Sequence, residues 1–203
     1  MHPQAFLKTF WRMQLRPQVF VAMSFAPEYA TRFKEVIEPA IQKLNANGKP
    51  LEAYRVDISK SGDSIISDIV DGISHSQLVL ADVSTIGHDS KTGRSYRNAN
   101  VLYEVGIALA CRHPSEVLLV RDDRDQFLFD VSTIPHVTID FTDKATAKEV
   151  LVEQLSGRLR EQRFQFDARV NLAIHTLSGA EVWLINRGKD WSRETVWGQD
   201  VLG

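Results

Sequence analysis

A single acidic residue lies on a short stretch that is otherwise uncharged and has the apolar spacing of a helix. The residue is Glu104, within Val101–Gly106, and the stretch follows an apolar, strand-like run that ends in Asp82. A carboxylate beside a buried strand destabilises a fold unless it is solvated or has a chemical role. Open α/β sheets bind ligands at the carboxyl ends of their strands, where acidic and amide groups converge. We therefore expect Glu104 and Asp82 to serve chemistry on a sugar.

The connection between that strand and the helix is long and polar. It spans Ser84–Arg97, contains two glycines and includes the cations Lys91, Arg94 and Arg97. Connections of this length without secondary structure are uncommon, and many of them are lids or binding loops. Two interpretations stay open: a surface insertion without a role, or a mobile lid whose cations contact substrate phosphates.

The elements that must position these residues alternate between strand and helix. The runs of strand length are 19–25, 51–56, 77–83, 117–120 and 136–141. Segments with helical spacing follow four of them: one opened by Pro27 and ended by Asn47-Gly48, one capped by Ser61 or Asp63, one capped by Asn98 or Asn100, and one capped by Thr142 or Asp143 and running to about Gln162. This alternation predicts a three-layer α/β fold of the flavodoxin-like kind, with a parallel sheet of about five strands.

Two flanking segments depart from the alternation. The expected domain is 17–162, preceded by an arm, 1–16, and followed by an extension, 163–203. The arm lacks the continuous apolar stretch and cleavage site of a signal peptide, so we expect it to dock on the domain or on a partner subunit. The extension opens with another helical pattern. An aromatic docking surface is expected there because it holds three of the four tryptophans, Trp183, Trp191 and Trp197.

Composition narrows the class of protein. The 203 residues are 43% hydrophobic and 25% charged, with a formal net charge of −2. These values are typical of a soluble globular protein and give no general attraction to nucleic acid or to an anionic membrane. One cysteine, Cys111, fits a cytoplasmic protein without disulfides. The histidines show no pair at metal-ligand spacing and no GxGxxG or Walker loop is present, so we expect no metal, no dehydrogenase and no P-loop nucleotidase.

Four segments occur in an order that a known superfamily shares. They are Val19–Phe25 (VFVAMSF), Leu78–Ser84 (LVLADVS), Asn98–Ala110 (NANVLYEVGIALA) and Phe129–Phe141 (FDVSTIPHVTIDF). Together they resemble the pattern of nucleoside 2-deoxyribosyltransferases and of the related TIR-like domains of bacteria. The resemblance covers roughly Gln18–Phe141, and it implies chemistry at an N-glycosidic bond.

The resemblance also implies roles for individual residues. Transferase members use a glutamate as nucleophile on the anomeric carbon, and TIR-type members use an equivalent glutamate to release nicotinamide from NAD. Glu104 matches this glutamate. The positions expected to bind substrate are Asp82 on the ribose hydroxyls, Asn98 and Asn100 on hydroxyl or phosphate oxygens, and Ser24 and Phe25 on the base and ribose.

The expected function is that of an NAD hydrolase, with NAD as substrate rather than as a cofactor. Arg94 and Arg97, together with Lys91, would then meet the diphosphate. TIR-like NADases usually serve in bacterial antiviral defence and stay inactive until assembled, so a homo-oligomer or an activating partner protein is expected. Two alternatives stay open: a nucleoside 2-deoxyribosyltransferase, and a non-catalytic module that binds a nucleotide signal without cleaving it.

Overall fold

The structure is a computed structural model that describes residues 15–46, 48–56, 65–125 and 134–176 and the short strands Val182–Leu184 and Ser192–Glu194. Side chains are described as far as residue 168. Most of the predicted arm, the predicted cap residues Ser61 and Asp63, and the side chains of the three extension tryptophans lie outside the described residues. The arrangement of the extension as a docking surface therefore stays a prediction.

A five-stranded parallel sheet forms the centre of the molecule. Its strands are β1 (Arg16–Ala22), β2 (Glu52–Tyr54), β3 (Ser76–Asp82), β4 (Val117–Arg121) and β5 (His136–Thr138). The order across the sheet is β2-β1-β3-β4-β5, and every neighbouring pair is parallel. This is the flavodoxin-like order, so the predicted fold class is confirmed.

Helices cover both faces of the sheet. The segment after β1 consists of α1 (Pro27–Arg32), a π-helical stretch (Phe33–Ile37) and α2 (Glu38–Gln42). Further along are α3 (Ile65–His75), α4 (Ala99–Cys111), a 3-10 turn (Pro114–Glu116) and α5 (Lys144–Thr176). Among the described residues, no helix combines the length and the apolar character needed to cross a membrane.

The buried core is divided by the sheet into two clusters. Val19 and Val21 of β1 pack in one cluster with α2 and α5, whereas Phe20 and Ala22 pack in the other with α3 and α4. Successive side chains of a strand point to opposite faces, so one short apolar strand contributes to both layers.

Two predictions about the connections and ends of the elements are wrong. The Ser84–Arg97 segment is not structureless, because Thr85–His88 and Ser95–Arg97 pair as an antiparallel hairpin. The helix expected to end near Gln162 continues to Thr176 as a single helix of 33 residues. No glycine or proline occurs between Arg158 and Thr176, so the chain contains no strong helix breaker there.

The turn of the hairpin is fixed by local hydrogen bonds. The Asp89 carboxylate accepts bonds from the Lys91 N–H at 3.0 Å and from the Thr92 N–H at 2.6 Å. Gly93 takes a φ of +67°, which a residue with a Cβ rarely adopts. In the extension, the strand Val182–Leu184 pairs antiparallel with Ser192–Glu194.

Candidate functional site

A cavity of about 570 Å³ opens beside the carboxyl end of β1. Loops after β1 and β2 and the first turns of α3 and α4 line it, through Met23, Ser24, Phe25, Ala26, Val56, Ile65, Ile66, Ile69, Asn98, Asn100, Val101, Tyr103 and Glu104. The strand order reverses next to β1, and open α/β sheets bind ligands at this switch point. The cavity also has the size and apolar character of small-molecule sites.

Glu104 is the only carboxylic acid among the described lining residues. Burial raises the pKa of Glu104 from its ordinary value of 4.5 to about 7, and the nearby positive charge of Arg55 opposes this shift. A carboxyl group with a pKa near 7 exists in both protonation states at neutral pH. It is therefore suited to act as a nucleophile or to transfer a proton.

The start of α4 is fixed by Asn98. Its side-chain oxygen accepts hydrogen bonds from the backbone N–H groups of Asn100 at 3.0 Å and Val101 at 3.3 Å. These bonds satisfy two N–H groups that have no partner within the helix, as an N-cap does. Because Glu104 lies on the second turn of the same helix, the cap also fixes where its carboxyl group enters the cavity.

The loop after β1 forms the opposite wall. The Ser24 hydroxyl accepts a hydrogen bond from the Ala26 N–H at 3.2 Å, and the Ser24 carbonyl accepts one from Arg55 at 3.2 Å. Phe25 lies at the mouth of the cavity with 60% of its surface exposed. These contacts hold Ser24 and Phe25 at the edge of the cavity. The predicted residues Ser24, Phe25, Asn98, Asn100 and Glu104 are thus brought together.

Asp82 does not belong to this group. Its buried carboxylate is bound by the Arg32 guanidinium at 2.6 Å and accepts hydrogen bonds from the Ser84 hydroxyl at 2.5 Å and the Ser84 N–H at 3.1 Å. Arg32 also pairs with Asp122 and lies over the ring of Phe141, 4.1 Å from its centre. Asp82 therefore takes part in an ion pair between α1 and the ends of β3 and β4, and the expectation that it binds ribose in the Glu104 cavity does not match its position.

Arg97 is also held away from the cavity. It is buried and donates hydrogen bonds to the Val83 carbonyl and to Asp123, at 3.0 Å and 3.2 Å to the latter. Burial acts to raise the pKa of Asp123, but hydrogen bonds from Arg97 and the Thr85 N–H, with the charges of Arg97 and Arg121, lower it to about 2. Arg97 thus stabilises the base of the hairpin, which does not fit the predicted contact with a diphosphate.

The other two cations of the hairpin are exposed. Lys91 and Arg94 lie in the turn, and neither is among the residues that line the cavity. Within the described ranges no group of three or more His, Cys, Asp and Glu side chains is arranged to hold a metal ion.

Several residues in or beside the cavity were missed by the sequence reasoning. Arg55 directly follows β2 and so lies at the carboxyl edge, a position that strand assignment alone could have indicated. Tyr103 precedes Glu104 on α4 and is 56% exposed. Ile65 and Ile66, in the first turn of α3, also line the cavity and are 37% and 47% exposed.

Comparisons with known proteins give only distant similarities. No protein-family model matches the sequence, and no curated protein matches it. Among solved structures, the chain is similar to a metal-soaked Flv1 flavodiiron core from Synechocystis sp. PCC6803, with a TM-score of 0.45 and 15% identity over 78% of this chain and 39% of that one. It is also similar to a 2-desoxiribosyltransferase from Leishmania mexicana, with a TM-score of 0.42 and 16% identity over 67% of this chain and 97% of that one. At these TM-scores neither similarity supports a statement about activity.

Proposed function

We propose that the protein breaks the N-glycosidic bond of a nucleoside or nucleotide, with Glu104 acting at the anomeric carbon. The observation that carries this proposal is the half-buried Glu104 carboxyl, with its pKa raised to about 7, in a largely apolar cavity at the switch point of the sheet. The polar side chains around it, Ser24, Asn98 and Asn100, are of the types that hydrogen-bond sugar hydroxyls. The apolar walls suit a planar base.

The chemical step follows from a single carboxylate. An ionised Glu104 oxygen attacks the anomeric carbon and forms an ester bond, while the bond from that carbon to the base nitrogen breaks and its electron pair leaves with the base. Water then attacks the same carbon, releases the sugar, restores the carboxylate and gives its proton to solvent. The carboxylate also stabilises the positive charge that develops on the sugar in both steps.

Within this class we propose NAD as the first substrate to test. The base of a neutral nucleoside leaves as an anion and needs a proton, whereas the pyridinium of NAD leaves as neutral nicotinamide. Glycosidases that must protonate the leaving group use a second carboxylic acid for this purpose. Glu104 is the only carboxylic acid among the described lining residues, which favours a leaving group that needs no proton. A role in bacterial defence through loss of NAD extends this proposal by family resemblance alone.

A nucleoside 2-deoxyribosyltransferase is the second candidate. It would use the same Glu104 ester but transfer the sugar to a second base instead of to water. The observation that favours it is the presence of two exposed aromatic rings, Phe25 and Tyr103, at one cavity, because such rings provide stacking surfaces for a planar acceptor base. In a pure binding module the same residues would hold a nucleotide without turnover.

One set of assays separates these functions. The full-length chain is incubated with NAD, and separately with deoxynucleosides and free bases, and the products are resolved by chromatography. We expect nicotinamide release that is lost in Glu104→Gln and retained in Glu153→Gln, a matched change at an exposed helical glutamate. Base exchange without loss of NAD would support the transferase. Saturable binding without any turnover would leave only the binding module. Light scattering on the same samples tests the predicted oligomer.

A further inference from the structure

Arg55 connects several parts of the cavity wall although it is not one of the lining residues. Its guanidinium carbon lies 3.9 Å from the centre of the Phe25 ring and 4.7 Å from the centre of the Phe33 ring. One of its nitrogens donates a hydrogen bond to the Ser24 carbonyl at 3.2 Å. A planar cation that lies over aromatic rings and binds a backbone carbonyl restricts the motion of the segment that carries them.

Of the two rings, Phe25 is the one whose motion depends more on Arg55. It is 60% exposed and lines the cavity, so without Arg55 its side chain would be free to change rotamer in solvent. Phe33 is half-buried against the core and gives Arg55 a fixed support. With the guanidinium on one side of Phe25, the exposed part of the ring is available to a ligand in the cavity.

We propose that Arg55 is a positioning residue for the proposed reaction, which holds Phe25 as the surface against which the base of the substrate stacks. This inference rests on the proposed function. The part of the substrate that the cavity selects is then a heteroaromatic ring, because a ring stacks on Phe25 and an aliphatic group of the same volume does not gain the stacking energy. Lysine would be a poor substitute for Arg55, because it has the charge but lacks the planar guanidinium.

Arg55 has a second effect that separates it from a purely structural residue. Its charge opposes the effect of burial on the pKa of Glu104. Arg55→Met removes the charge, whereas Arg55→Lys keeps a charge and removes the planar group. The two variants should therefore differ in the pH profile of base release, with the profile moved to higher pH in Arg55→Met only.

The main test is a double-mutant cycle measured by binding. Dissociation constants are determined by calorimetry in the Glu104→Gln background, in which we expect binding of the substrate without turnover. Four proteins are compared in this background: one without a further change, one with Arg55→Lys, one with Phe25→Ala, and one with both substitutions. Each protein is first checked for an unchanged unfolding midpoint. The ligand is NAD, or thymidine if the turnover assays identify deoxynucleosides.

We expect Arg55→Lys to weaken binding about two- to fivefold when Phe25 is present, as expected for loss of an exposed cation–aromatic contact. The same change should have little effect when Phe25 is already alanine. Equal weakening in both backgrounds, or no saturable binding of either ligand, would overturn the inference. Coupling in the binding cycle without base release by the unsubstituted protein would instead reject the proposed function and keep the role of Arg55. Base release by the unsubstituted protein, together with additive effects of the two substitutions on binding, would keep the proposed function and reject the role of Arg55.

Discussion

The raised pKa of Glu104 makes a prediction about stability that is independent of any substrate. The difference between 4.5 and about 7 corresponds to about 3 kcal/mol, since a tenfold change in proton affinity equals about 1.4 kcal/mol. Glu104 is only half-buried, so screening by solvent reduces this figure, and we expect roughly 1 to 3 kcal/mol.

The sign of the effect follows from which state holds the proton. Below pH 4.5 Glu104 is protonated in both the folded and the unfolded chain, and it carries no penalty. Between pH 4.5 and about 7 the unfolded chain loses the proton while the folded chain keeps it, so the free energy of unfolding falls. Above about pH 7 both states are ionised, and the penalty is constant. Glu104→Gln removes this penalty.

The assay is urea unfolding of the full chain at several values between about pH 4 and 8.5, for the unsubstituted protein, Glu104→Gln and the exposed control Glu153→Gln. The stability of Glu104→Gln relative to the unsubstituted protein should rise by roughly 1 to 3 kcal/mol from the acid to the alkaline end. The control should show no such trend. A difference for Glu104→Gln that is independent of pH, or that falls as pH rises, would refute the burial argument.

Substitutions at three further positions test the architecture of the domain. Asp82→Ala leaves the half-buried Arg32 with one carboxylate instead of two. We expect the free energy of unfolding in urea to fall by about 2 to 4 kcal/mol, and a fall below about 0.5 kcal/mol would contradict the ion-pair role. Gly72→Ala places a Cβ 2.7 Å from the Tyr54 ring, so we expect the free energy of unfolding to fall by about 1 to 3 kcal/mol and the thermal midpoint to fall with it. An unchanged midpoint would count against the close packing. Asn98→Ala should lower the free energy of unfolding by about 1 kcal/mol, and Asn98→Ser should lower it less because serine can still cap α4. If Asn98 also binds substrate, the Michaelis constant should rise in both variants, and an unchanged constant in Asn98→Ser would limit its role to capping.

The sequence was sufficient to predict the fold and to bring five of the predicted residues to one cavity. Apolar runs of strand length are recognisable without an alignment because β1, β3 and β4 are buried on both faces. The rule that parallel strands direct their carboxyl ends to one edge then placed Ser24, Phe25 and Glu104 near one another. Asn98 was predictable as a cap from its residue type and its position before an apolar helix.

Asp82 and Arg97 lie outside the Glu104 cavity for a common reason. Each of these charges pairs with a residue far away in sequence: Arg32 is 50 positions from Asp82, and Asp123 is 26 positions from Arg97. A single sequence shows that a charge lies at the edge of the sheet but not that another charge neutralises it there. The hairpin was missed for a different reason, because its strands are short and its residues do not alternate clearly between polar and apolar.

The cavity wall formed by the loop after β1 continues into α1, and two arginines hold this segment. Arg55 lies over Phe25, before α1, and over Phe33, directly after α1, and Arg32 at the last residue of α1 pairs with Asp82 and Asp122. The conformational entropy of this wall is therefore lost when the chain folds rather than when a ligand arrives, which favours affinity. Association on this side of the cavity should accordingly proceed in a single step, at a rate set by diffusion and orientation instead of by a slow closing motion.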